Sequence, residues 1–147
     1  MDPQGSRFSL RELVLDASIV VKWFHSVGES DLEAALSLYD EYQRGDLIVA
    51  ASTMLPLELL NFAARRLRLA ETGLLAFAQD INRLHIALVQ PTLRRIAQWA
   101  AQGLTAYDAS YVALAEDRGT RVVTADRQML QVAGNLAISV RQAAFSG

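Results

Sequence analysis

The sequence predicts an α/β fold: a three-layer α/β/α domain built on a central parallel sheet of four to five strands. Three observations carry that expectation. Short apolar runs recur at 13–15, 47–50, 86–89 and 122–124, as expected for strands buried on both faces. Segments with helical spacing separate the runs. Glycine or proline punctuates the breaks, at Gly45, Pro91 and Gly103. Strands that alternate with helices pair in parallel through right-handed crossovers, so their C-terminal ends share one edge. Ligands of open α/β sheets bind at that edge.

The elements follow in order. Residues 1–12 are polar and read as a loose lead-in, leaving 13–147 as a single domain. Leu13-Val14-Leu15 reads as a first strand ending at Asp16, and Ala17 to Phe24 as a short helix. Glu29 to Arg44 has Leu32, Ala35, Leu36 and Tyr39 on one helical face, with Gly45 as its C-cap. Residues 47–50 form a second strand. Pro56 suits a first helical turn, and that helix runs to about Leu69. A helix over 71–84, a third strand over 86–89 and a helix over 93–102 follow. Thr105 precedes a helix over 106–118, Val122-Val123-Thr124 is a fourth strand, and Asp126 opens a short helix. Residues 138–140 read as an edge strand.

Composition narrows the function classes. A 147-residue chain that is 52% hydrophobic is the size of one domain with a full core. The absence of cysteine excludes disulfides, zinc–thiolate sites and a cysteine nucleophile. No apolar stretch approaches the ~18 residues of a membrane span, and the N-terminus lacks the apolar region of a secretory signal. A soluble protein of the cytoplasm, with no membrane partner, is the expectation. The formal net charge is −2. Removing the four acids discussed next leaves +2, a balance compatible with a polyanionic partner.

Those acids are Asp16, Glu58, Asp108 and Asp126. Asp16 ends the first strand, Glu58 lies in the first turn after the second, and Asp126 lies two residues past the fourth. Asp108 sits in the first turn of a helix running back against the strands. Topology therefore brings all four to one edge. Singly, each reads as a helix cap or a dipole partner. Together they would repel one another, and such a group calls for a counter-ion. Hard oxygen donors select Mg²⁺ or Mn²⁺, and a carboxylate-held ion can activate water against a phosphodiester.

At these residues a family resemblance enters. The segments LVLDASIVVKWF (13–24), LPLELLN (55–61), LTAYDASYVALAEDRG (104–119) and RVVTADRQML (121–130), in this order and spacing, resemble PIN-domain ribonucleases. The similarity is to VapC-type toxins of bacterial type II toxin–antitoxin pairs in particular. The resemblance implies a PIN-like fold and an endoribonuclease dependent on Mg²⁺ or Mn²⁺. Its catalytic and metal-binding acids would be Asp16, Glu58, Asp108 and Asp126. It also implies an RNA substrate, a cognate antitoxin and a homodimer. Ser18 and Thr124 fall at hydroxyl positions near the metal, with turn hydrogen bonding as the alternative. Asn61, one turn after Glu58, can orient it or a water. Many members carry an acid where this chain has Gln128. One ion is therefore expected and a second is left open.

Lys22, Arg65, Arg66 and Arg68 are candidate RNA-phosphate contacts. Trp23, Phe24 and Trp99 are read as core or interface rather than base-stacking residues, His25 as a surface-loop residue, and Tyr107 and Tyr111 as packing residues. Two other readings exist. A phosphoaspartate-forming domain fits poorly, because Ser18 stands where a second acid is needed and Lys22 is the only lysine. A PIN-like module that binds without cleaving is the non-enzymatic alternative.

Overall fold

The computed structural model describes residues 10–145. The chain runs β1 (Arg11–Leu15), α1 (Ala17–Val20, continued by a 3-10 turn Val21–Trp23), α2 (Leu32–Gln43), β2 (Leu47–Ser52), α3 (Leu55–Arg65) and α4 (Glu71–Arg83). It continues with β3 (Ala87–Val89), α5 (Leu93–Ala100), α6 (Ala106–Asp117), β4 (Val122–Val123), α7 (Arg127–Ala133), β5 (Ala137–Ile138) and α8 (Val140–Phe145). The strands form one sheet in the order β3-β2-β1-β4-β5, and every pairing is parallel. This is the expected three-layer α/β architecture with five strands.

The apolar runs are strands for the reason the sequence suggests. Leu13, Val14 and Leu15 are consecutive and all buried, so both faces of β1 are covered. Val14 pairs with Ala50 on one side and Val122 on the other, which puts β1 in the middle. Across α6, every residue from Ala109 to Ala115 is buried. Its alanines let it pack closely on β1, β2, β4 and α5. No helix among the described residues is long and apolar enough to cross a membrane.

Boundaries differ in instructive ways. β1 starts at Arg11, inside the expected lead-in, because Arg11 and Glu12 pair with Leu47 and Ile48; residues 1–9 of that lead-in lie outside the described residues. α3 stops at Arg65, and Arg68 takes a left-handed φ of 56°, which ends the expected continuation to Leu69. The expected edge strand is only Ala137–Ile138, and Val140 instead begins α8. Ser139 and Gln142 form a reciprocal cap: Gln142 N–H donates to Ser139 Oγ at 3.2 Å and Ser139 N–H to Gln142 Oε1 at 3.0 Å. That is a capping box, present in the sequence as Ser-x-x-Gln and overlooked beside the apolar run.

Candidate functional site

The strand order reverses direction at β1, with β2 and β3 on one side and β4 and β5 on the other. Ligand crevices form at such a switch point, beyond the strand ends. Asp16 follows β1 and Asp126 follows β4, so these two acids flank it.

Asp16 is 5% exposed. It caps α1, its Oδ1 accepting from Ser18 N–H at 3.0 Å and from Ser18 Oγ at 2.5 Å. Its Oδ2 accepts from Thr124 Oγ1 at 2.5 Å. A carboxylate offers about four acceptor positions, so these three bonds leave Oδ2 able to take a further ligand. Burial, the dominant influence, pushes the Asp16 carboxyl up to about 7. The Ser18 and Thr124 bonds oppose that rise, and the charges of Glu58 and Asp108 add to it.

The two hydroxyls also tie the edge together. Ser18 Oγ accepts from Ala125 N–H at 3.0 Å, and Thr124 Oγ1 accepts from Asp126 N–H at 3.0 Å. Ser18 and Thr124 therefore lock the start of α1 to the turn that carries Asp126. Asp126 caps α7, its Oδ1 taking Gln128 N–H at 2.8 Å and Met129 N–H at 3.1 Å, and no described bond uses its Oδ2. The capping reading and the functional reading of this residue are thus compatible. The Gln128 side chain donates to Gly103 O at 3.0 Å, fastening the first turn of α7 to the loop before α6.

Glu58 lies in the first turn of α3, half-buried, with its Oε1 accepting from Tyr111 Oη at 2.6 Å. Desolvation raises its pKa; the Tyr111 bond lowers it and the Asp108 charge raises it. Tyr111 is fully buried, so it packs, as expected, and also fixes an acid. Asp108 follows Thr105, whose Oγ1 accepts Asp108 N–H at 3.1 Å. Burial raises the Asp108 pKa, the charge of Asp126 adds to it, and Thr105 opposes. The start of α6 is pinned to the C-terminal end of β2 by a 2.7 Å bond between the Ser110 and Ser52 hydroxyls. Asp108, two residues before Ser110, sits at the N-terminal end of the same helix.

The four acids therefore feel one another. Asp16 senses Glu58 and Asp108, Glu58 senses Asp108, and Asp108 senses Asp126. No ion pair described in the structure involves any of them. The expected metal-binding cluster is not closed, however: among the described residues no three acidic or histidine side chains are placed to hold one metal ion. The physical reason is local. Each carboxylate is drawn to its own donor, Ser18 and Thr124, Tyr111, Thr105 or the α7 amides, while mutual repulsion keeps the group apart. The donor set itself, all oxygen and with no ion-pair partner among the described residues, suits a hard divalent cation.

The remaining candidates divide. Lys22, expected at RNA phosphates, is 6% exposed and bonded to Glu29 Oε1 at 2.8 Å. Burial of its long stem gives it a structural partner instead. Asn61, Arg65 and Arg66 line a hollow of about 420 Å³ with Ala17, Ser18, Val21, Glu58 and Phe62; Arg68 lies past the end of α3 and is exposed. Sequence reasoning missed Tyr111 as a partner of Glu58 and Phe62 as a wall of this hollow. A tyrosine three residues after Asp108 on a buried helix was the available signal for the first.

Similarity to known proteins agrees with this fold. The structure resembles the crystal structure of PAE2754 from Pyrobaculum aerophilum, with a TM-score of 0.65 and 26% identity over 94% of this chain and 97% of that one. It resembles FitAcB from Neisseria gonorrhoeae with a TM-score of 0.65 and 17% identity, over 87% of this chain and 97% of that one. The structure of FitAB bound to an IR36 DNA fragment matches with a TM-score of 0.53 and 15% identity, covering 87% and 94%. No curated protein matches the sequence at a significant level. The model of the PIN domain matches residues 13–135, most of the chain, and the protein belongs to the PIN domain family.

Proposed function

We propose that this protein is an endoribonuclease of the VapC type, dependent on Mg²⁺ or Mn²⁺, that acts as the toxin of a toxin–antitoxin pair. One observation supports the reading: in a PIN domain, Glu58 and Asp108 raise the pKa of Asp16, Asp108 that of Glu58 and Asp126 that of Asp108, and none of these four acids has an ion-pair partner among the described residues. Asp16 and Asp126 would hold the ion, with Asp108 completing its ligands. A bound divalent ion supplies Lewis acidity toward the phosphodiester and lowers the pKa of water. Ser18 and Thr124 orient Asp16. Glu58, fixed through Oε1 by Tyr111, keeps Oε2 for the proton of an attacking water. Gln128 contributes no charge, so one ion is proposed. An antitoxin that covers this edge, and a second copy of the chain as partner, follow from the family resemblance.

Cleavage of single-stranded RNA by the purified protein with Mg²⁺ or Mn²⁺ tests the reading. Asp16→Asn should abolish that cleavage and relieve growth arrest on expression. Undiminished cleavage by Asp16→Asn would sink the site. The second reading is a PIN domain that binds without cleaving; Gln128, uncharged where many family members carry an acid, leaves room for it. Calorimetry separates the two: no heat of binding with millimolar Mg²⁺ or Mn²⁺ would support it. A small adjacent reading frame encoding a DNA-binding protein would support the toxin role.

A further inference from the structure

The hollow beside Ser18 and Glu58 holds features that metal chemistry does not use. Its far wall is Phe62 on α3, with Arg65 and Arg66 next to it. The guanidinium of Arg66 stands over the Phe62 ring, 5.7 Å from its centroid. His25 meets the same ring edge-on, with centroids 5.6 Å apart. Phe62 is partly buried, whereas Arg65 and Arg66 are exposed. Neither arginine has an ion pair among the described residues, a property they share with Arg68, Arg94, Arg121 and Arg127.

From this arrangement we infer that the Phe62–Arg66 pair, backed by His25, is a stacking seat for one nucleobase of a single-stranded RNA next to the cleaved phosphate. The inference rests on the ribonuclease reading above. A flat aromatic ring beside a guanidinium plane matches a base in shape and in π character. Arg65, free of any acidic partner among the described residues, meets a neighbouring phosphate. At about 420 Å³ the hollow lies within the ~300–1,000 Å³ of small-ligand sites. Since Ser18 and Glu58 line it too, a base held there leaves its own phosphate facing the acids. Phosphate contacts alone would not require the ring. A purely apolar ligand would leave both guanidiniums unanswered.

The test uses a short RNA cleaved by the wild-type protein and a series in which one nucleotide at a time is abasic. One abasic position flanking the cut should raise KM by roughly 5- to 150-fold, the range for loss of one stacked base, with kcat less affected. Phe62→Ala and Arg66→Gln should each raise KM on the intact RNA and erase the extra penalty of that abasic position. Phe62→Trp should restore it. Arg66→Gln is a surface change, so its result stands even if Phe62→Ala fails to fold. If the wild type cleaves but no abasic position matters, or if both variants keep the wild-type penalty, the stacking seat is wrong and the ribonuclease reading survives. If the wild type cleaves no RNA with either metal, the ribonuclease reading fails and the seat fails with it.

Discussion

Tyr111 Oη donates to Glu58 Oε1 at 2.6 Å, joining the second turn of α6 to the first turn of α3 across the candidate site. Both partners are held by the core: Tyr111 is fully buried, and Leu55 and Leu59 on either side of Glu58 are buried as well. The bond therefore sets where the Glu58 carboxylate can be. Tyr111→Phe removes it and little else. Outer partners of metal-ligating groups are worth roughly 10–100-fold in activity or metal affinity, and a loss of that size is expected in kcat/KM for RNA. The bond also lowers the Glu58 pKa. Its removal should move the acidic limb of the pH–rate profile to higher pH, a shift that a loss of packing alone would not produce.

Asp16 predicts an unusual pH dependence of stability. Burial holds its carboxyl at about 7 in the folded protein, against an ordinary 3.8. Between those values the folded chain keeps a proton that the unfolded chain has released. Stability of the metal-free protein is therefore highest below this interval and falls as pH rises through it, by about 4 kcal/mol from Asp16 alone. Glu58 and Asp108, raised in the same direction, steepen the fall. Urea denaturation at pH 5 and pH 8 should show the metal-free protein weaker at pH 8. Asp16→Asn should flatten the difference while losing cleavage.

Divalent metal should offset much of that loss. An ion bound only by the folded chain at a hundred times its Kd adds about 2.7 kcal/mol. Thermal melts at pH 8 should rise with Mn²⁺ or Mg²⁺ and fall back with a chelator. Asp126→Asn and Asp108→Asn should blunt the rise. An equal rise in both variants would place the ion elsewhere.

Thr124 is 0% exposed, and its single hydroxyl serves two acids, donating to Asp16 Oδ2 and accepting Asp126 N–H. Thr124→Val keeps the shape and removes both bonds. A cost of about 1–3 kcal/mol in unfolding free energy is expected for the polar groups left unpaired, together with loss of cleavage. Thr124→Ser should retain most of both. A Thr124→Val protein with wild-type stability would contradict the role assigned to that hydroxyl.

The layers of the fold were legible because the pattern that predicts buried parallel strands is the pattern that makes them. Leu13-Val14-Leu15 and Val122-Val123 have no polar residue to turn outward. The end of α3 was not legible, because Leu67 and Leu69 continue a helical spacing that the left-handed Arg68 breaks. That the four acids come near enough to influence one another followed from topology, including Asp108 at the start of a helix running back against the strands. How closely they approach did not follow. That depends on which donor each carboxylate prefers, and the preferences of Glu58 for Tyr111 and of Asp126 for the α7 amides come from residues far apart or from backbone. Lys22 looked like a surface cation by type, yet Glu29, seven residues on, takes it inward.

The carboxyl of Asp16, enclosed by Ser18 and Thr124 near acids that have no ion-pair partner among the described residues, makes the bare site costly to ionise at neutral pH. A chain built this way ties its own lifetime to what fills the site. If the proposed divalent ion binds there, the chain without it would open more readily and be exposed to proteolysis, and with it would persist. The abundance of the protein in a cell would then follow its ligand supply as well as its synthesis.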